Sequence, residues 1–276
     1  MNEFKKSLQN TESNKISVTG LPYDAGSIFL KGPAKAPKFI RTALSSPSSN
    51  MWTELGINLG EKDIFTDMGD LDFNSSENPF SAIENAASLL LEKSAIPIFL
   101  GGDHSVTYPI VKAFAGKFEN LNILHFDAHP DLYDEFEGGR YSNASPFARI
   151  MEEKLATHLV QVGIRTMNEH QRNQAEKFGV QVIEMRNINN KFINSLSSPL
   201  YISFDMDALD PGFAPGVSHH EPGGLSTRQA VDIIHSLKAE IVGADIVEFN
   251  PERDHAGITA MAAAKLLKEI MGKSIL

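Results

Sequence analysis

The stretch Leu121-Asn122-Ile123-Leu124-His125-Phe126-Asp127-Ala128-His129-Pro130-Asp131 decides how this chain is read. Its first half is short, apolar and rich in β-branched or aromatic residues, the signature of a buried strand. Its second half gathers two carboxylates and an imidazole. The same arrangement recurs twice. Leu200-Tyr201-Ile202-Ser203-Phe204 runs into Asp205-Met206-Asp207, and Ala95-Ile96-Pro97-Ile98-Phe99-Leu100 runs into Gly101-Gly102-Asp103-His104-Ser105. One aspartate at a strand end is ordinary turn or cap chemistry. Three strand ends that all carry metal-ligating side chains are not explained by packing.

Working outward, helix and strand patterns alternate. Strands are expected at Lys15–Gly20, Asp63–Asp67, His158–Val162, Val180–Glu184 and Ile241–Glu248, besides the three above. A capping-box spacing of Ser81 and Glu84 introduces a helix carrying Ile83, Ala86, Ala87, Leu90 and Leu91. Further helices are expected at 105–114, 146–153, 168–178 and 258–271, and a second capping box, Ser226 with Gln229, opens one through Ile233, Ile234 and Leu237. A Pro- and Gly-rich loop spans Asp210–Gly224. Apolar strands alternating with helices predict an α/β fold with a mostly parallel central sheet covered on both faces. Ligands of such sheets bind beyond the carboxyl ends of the strands, where the acidic clusters fall. No repeat or linker divides residues 1–276, so one domain with a polar tail at 1–14 is expected.

Bulk properties narrow the function. The formal net charge of −10 and the lack of a basic patch argue against nucleic acid. With no cysteine, disulfides, thiolate metal sites and cysteine nucleophiles are excluded. No apolar run approaches the ~20 residues that span a bilayer, and Met1–Ser13 has no signal-peptide core, so a cytoplasmic protein without membrane attachment is expected.

The candidate ligands are His104, Asp127, His129, Asp131, Asp205 and Asp207. In extended chain, residues at i, i+2 and i+4 share a face, which would aim 127, 129 and 131 together, and likewise 205 and 207. Four converging carboxylates repel one another, and two divalent cations would balance them. Such a donor set suits Mn²⁺, although His and Asp also hold Zn²⁺. A metal pair ~3.5–4 Å apart lowers the pKa of a shared water, so the implied chemistry is metal-assisted hydrolysis.

At this point the chain resembles the ureohydrolases, the family of arginase and agmatinase. The motifs are Gly-Gly-Asp-His-Ser at 101–105, Asp-Ala-His-Pro-Asp at 127–131, the run from Ser203 to Pro211, and Ala214-Pro215-Gly216. Glu221-Pro222-Gly223-Gly224-Leu225, Asp245-Ile246-Val247-Glu248-Phe249-Asn250-Pro251, Leu21-Pro22-Tyr23-Asp24 and Gly32-Pro33-Ala34 complete the likeness, which is nearest to agmatinases and agmatinase-like plant arginases. The resemblance implies a three-layer α/β/α domain holding two Mn²⁺ ions. One would sit on His104, Asp127, Asp131 and Asp205, and the other on His129, Asp127, Asp205 and Asp207, with Asp127 and Asp205 bridging. It implies hydrolysis of a guanidino group to urea and an amine, with agmatine the first expected substrate and L-arginine or another guanidino or formimino compound the alternatives. Glu248 matches the family's guanidinium-binding glutamate, and His219 falls beside the substrate. A trimer or hexamer of identical chains is implied as well.

One departure stands out. Relatives with this pattern carry a histidine in Tyr-Ser-His-Ala-Ser, thought to shuttle protons; this chain has Tyr141-Ser142-Asn143-Ala144-Ser145. Asparagine does not titrate near neutral pH. A catalytically weakened, metal-binding homologue is therefore a further expectation to test, as is proton delivery by His219, His220 or solvent. Of the other histidines, His125 is expected in the core, His158, His170 and His235 at the surface, and His255 in a loop.

Overall fold

In a computed structural model, residues 15–73, 78–93 and 95–276 are described; the polar tail at 1–14 lies outside them. Eight strands form one all-parallel sheet: β1 (Ile16–Gly20), β2 (Phe65–Asp70), β3 (Ile96–Leu100), β4 (Asn122–Phe126), β5 (His158–Ile164), β6 (Gln181–Glu184), β7 (Leu200–Asp205) and β8 (Ile241–Val247). Their order is β2-β1-β3-β8-β7-β4-β5-β6. The strands flanking the centre are thus β3, β8, β7 and β4, and their carboxyl ends carry the acidic motifs.

Among the described residues, seven α-helices cover the sheet: α1 (Ala36–Leu44), α2 (Pro79–Glu92), α3 (Thr107–Ala115), α4 (Pro146–Glu152), α5 (Glu169–Phe178), α6 (Thr227–Ser236) and α7 (Ile258–Ser274). Period-two alternation sorts the strands into two cores. Ile98, Leu124, Phe126, Ile202 and Phe204 face α1, α6 and α7 through Ile40, Ile234 and Leu267. Phe99, Ile123 and Tyr201 face α2, α3, α4 and α5 through Leu90, Phe114, Phe147 and Ala175. This is the three-layer α/β/α arrangement. Among the described residues, no helix is long and apolar enough to cross a membrane.

Local chemistry corrects three expectations. α1 falls where no element is expected from the sequence; its Pro37 lies in the first turn, where the missing N–H costs nothing. The helix buries Ala36, Ile40 and Ala43. α2 is not opened by Ser81: its N-cap is Asn78, whose side chain accepts from the N–H groups of Phe80 and Ser81, with Pro79 following. β8 ends at Val247 because Glu248 takes φ 61°, a left-handed conformation that breaks the ladder. The capping box of α6 is present in full.

Candidate metal centre

The acidic residues do converge, but not by strand alternation. β4 stops at Phe126, and Asp127–Asp131 turns sharply, with Asp131 at φ 50°. Asp205 ends β7, and its carboxylate accepts from the N–H of Asp207 at 2.8 Å, winding Met206–Ala208 into a short 3-10 turn. Tight backbone approach is needed nearby: a Cβ on Gly102 would meet the Tyr23 carbonyl at 1.7 Å. A non-glycine residue there would push the His104 segment off its seat.

His104 is the hub. Its Nδ1 lies 3.3 Å from Asp127, 3.0 Å from Asp131 and 3.1 Å from Asp205, each time an Oδ2 atom. Its Nε2 is 3.0 Å from Ser203 Oγ, and that hydroxyl donates to Asp245 Oδ1 at 2.7 Å. Since the serine proton is committed to Asp245, Nε2 must carry the proton that joins it to Ser203. Nδ1 then presents a lone pair to three carboxylate oxygens, and it is a buried polar atom with no hydrogen-bond partner. Lone pair against carboxylates is repulsive unless positive charge lies between them.

His129 forms the second group. Its Nδ1 is 3.3 Å from Asp127 Oδ1 and 3.1 Å from Asp207 Oδ2. Asp127 therefore offers one oxygen to each imidazole. Asp205 divides differently: Oδ2 faces His104, while Oδ1 takes the Asp207 N–H.

The electrostatics fit a site for cations. Burial, then the charges of Asp207 and Asp127, push Asp205 well above the usual carboxylate range. Asp131 is pushed up to about 6, first by burial and then by Asp127. Burial would raise Asp127 too, but His125, His104 and His129 together hold it well below its usual value. Burial lowers His104 and His129, yet their carboxylate neighbours hold both well above the ordinary imidazole range. Protonating both rings still leaves two of the four carboxylates uncompensated. The donor set of oxygens and imidazole nitrogens fits divalent ions.

His125 lies close enough to be grouped with His104 and Asp127 as a ligand. Its hydrogen bonds assign it otherwise. Nδ1 accepts from Gln161 Nε2 at 3.0 Å, so Nε2 carries the proton and donates to Asp127 Oδ2 at 2.8 Å. No lone pair remains for a metal. The ring is fully buried, as expected, and stacks on Phe147 with centroids 3.9 Å apart.

A cleft of about 240 Å³ opens over the cluster, lined among others by Asp131, Asp205, Asp207, His129, Asn143, His219 and Glu248. Glu248 Oε1 accepts from the His104 N–H at 2.9 Å and from Asn143 Nδ2 at 3.0 Å; among the described residues no hydrogen bond reaches Oε2. Burial, then the charge of Asp103, push Glu248 up to about 8. A positively charged ligand reverses that shift. Asn143 cannot be turned over, because its Oδ1 accepts from the Ile28 N–H at 3.2 Å. His219 stands edge-on to His129 at 5.6 Å and is lowered by burial and then by the His129 charge. His220 instead reaches the Pro215 carbonyl, and His255 is exposed.

The chain that carries this buried cluster at the carboxyl ends of β3, β4 and β7 is similar to known proteins over nearly its whole length. A model of the arginase family matches residues 14–272. The chain belongs to the arginase family. Mitochondrial arginase 1 of Arabidopsis thaliana is 46% identical over 274 residues, spanning 93% of this chain and 80% of that protein. The N(1)-aminopropylagmatine ureohydrolase of Thermus thermophilus is 37% identical over 259 residues, spanning 90% of this chain and 87% of that one. The solved arginase of Medicago truncatula superposes with a TM-score of 0.92 at 41% identity, over 99% of this chain and 92% of its own. The chain is thus an arginase-family ureohydrolase with a His/Asp cluster able to bind metal.

Sequence reading missed three supporting residues, Gln161, Ser203 and Asp245. Their signal was available: each is a polar residue inside an otherwise apolar, doubly covered strand.

Proposed function

We propose that the chain is a manganese-dependent arginase, holding two Mn²⁺ ions and hydrolysing L-arginine to urea and ornithine. The observation that carries the two-metal reading is Asp127, whose two oxygens are divided between the His104 and His129 groups. Two divalent cations in this ligand set supply an activated water as the nucleophile at neutral pH.

This chain's own residues do the rest. Glu248, anchored through Oε1, offers Oε2 to the planar guanidinium, where a charge-assisted bond both holds and orients it. Water oxygen adds to the guanidinium carbon, the bond from that carbon to the side-chain nitrogen breaks, and the nitrogen leaves as an amine once protonated. Asn143 holds Glu248 by donating to Oε1, and its amide relays no proton. Beyond the acidic floor, Thr166, Asn168 and Gln171 line the cleft with uncharged hydrogen-bonding groups. Such groups suit the carboxylate and amine of an amino acid, whereas the lone distal ammonium of agmatine calls for a carboxylate. That consideration, with the similarity to plant arginases, supports reading arginine before agmatine, the reverse of the order expected from sequence.

The test is urea release from a panel of guanidino compounds after Mn²⁺ loading. Arginine is expected to give the highest kcat/KM; no urea from any compound would overturn the reading. Asn143 favours one competing reading, a catalytically weakened homologue. Installing a proton carrier is worth ~10²–10⁴-fold where one is lacking. Asn143→His is expected to give no such gain, and a hundredfold rise in kcat would favour the weakened homologue.

A further inference from the structure

The sheet registers of β5, β4, β7 and β8 place four polar side chains in a single row. Gln161 pairs with His125, His125 with Ser203, and Ser203 with Asp245. All four are fully buried, in strands whose neighbouring residues are apolar. Burying four polar groups side by side costs stability unless each is satisfied, so the row calls for a reason. Its hydrogen bonds supply one.

The row splits into two arms, each ending on a different candidate ligand. In one, Asp245 Oδ1 accepts from Ser203 Oγ at 2.7 Å and Ser203 in turn receives the Nε2 proton of His104 at 3.0 Å. Asp245 Oδ2 is itself pinned by Thr107 Oγ1 at 2.9 Å and Tyr201 OH at 2.8 Å. In the other, Gln161 Nε2 is oriented by the Pro130 carbonyl at 2.6 Å and donates to His125, which donates to Asp127. We propose that this row is a built-in alignment device that presets the tautomer of His104 and the orientation of Asp127 before metal arrives, making Asp245, Ser203, Gln161 and His125 positioning residues for the metal centre. This rests on the two-metal reading given above.

Outer hydrogen-bond partners of metal ligands typically change affinity by ~10–100-fold when removed. The experiment is Mn²⁺ titration of the metal-stripped full chain, read by calorimetry and by the spin-resonance signal of free Mn²⁺, with thermal melting of the stripped protein alongside. Ser203→Ala and His125→Phe are each expected to weaken Mn²⁺ binding on that scale. Tyr201→Phe removes a donor to Asp245 but leaves the Ser203 bond, and is expected to leave Mn²⁺ affinity unchanged.

Additivity tests the architecture. Asp245→Asn combined with Ser203→Ala is expected to cost little more than Ser203→Ala alone, because Asp245 acts through Ser203. Ser203→Ala combined with His125→Phe is expected to multiply the two losses, because the arms end on different ligands. Should Ser203→Ala not fold, Asp245→Asn paired with His125→Phe carries the same comparison. Variants that melt lower yet bind Mn²⁺ as tightly as the parent would overturn the proposal and leave the two-metal reading standing. A parent protein that binds no Mn²⁺ would overturn both.

Discussion

Two regions of this molecule concentrate charge, and they do it in opposite ways. Between α6, α7 and the loop at 51–59, Glu54 pairs with Arg228 at 2.7 Å and with Lys265 at 2.8 Å. Fully buried Glu269 takes Lys265 at 2.5 Å and His235 at 2.8 Å. Every carboxylate there has a cationic side chain, and the cluster closes on itself. At the carboxyl ends of β3, β4 and β7, four buried aspartates face the imidazoles of His104, His125 and His129, and among the described residues no lysine or arginine pairs with them. The first region pairs each of its carboxylates with a lysine or arginine of its own and ties helices together. The second is short of positive charge, which a fold tolerates only where something from outside supplies it.

The contrast gives graded ways to break it. The largest effect is expected from Asp127→Ala, which removes the oxygen of each group at once. Metal catalysis contributes several kcal/mol, so urea release is expected to fall by ~10³-fold or more, with Mn²⁺ affinity lost in the same titration. Retained activity would mean that Asp127 is not shared between two ions.

Chelation comes next. A ligand at 1,000 times its Kd stabilises by about 4 kcal/mol, and for a domain of this size each kcal/mol moves Tm by roughly 2–4 °C. Stripping Mn²⁺ is therefore expected to lower Tm by roughly 8–16 °C, and restoring it to recover the loss. The ion-pair cluster offers nothing for a chelator to remove, so Glu54→Gln is expected to leave that response intact.

The smallest effect is in Glu54 itself. Its hydrogen bonds from Arg228, then from Lys265, hold its pKa down to about 2. A lowered carboxylate pKa stabilises above the unfolded value near 4.5 and loses that contribution as pH falls toward 2. Because the pair is substantially exposed, Glu54→Gln is expected to cost about 1 kcal/mol or less at neutral pH. The parent and variant melting curves should converge on acidification through that window, and added salt should shrink the gap.

Much of this was legible in the sequence, for reasons that show where legibility stops. Short, mostly apolar runs punctuated by acids identify β3, β4 and β7, because a strand covered on both faces draws most of its residues from apolar types. The structure sets Asp131 beside His104, His129 beside Asp207 and Asp127 between the two, by a different cause from the alternation expected. Strand alternation does not bring them together; a bend with Asp131 at positive φ does, and no local propensity announces it. α1 carries no capping side chain to announce its start, and burial of Ala36, Ile40 and Ala43 is what fixes it. Gln161, Ser203 and Asp245 stand out as polar residues in apolar strands, but the row they form with His125 is not legible, because registers between strands distant in sequence are set by tertiary structure. The amide of Asn143 could be placed against Glu248 only once the loop carrying Ile28 was seen to fix its orientation.

Anomalous scattering from crystals grown with Mn²⁺ tests the account most directly. Two peaks are expected, one bounded by His104 and Asp131, the other by His129 and Asp207, with Asp127 reaching both. An empty cluster, or a single ion held without Asp127, would contradict the claim that this site is built around missing positive charge.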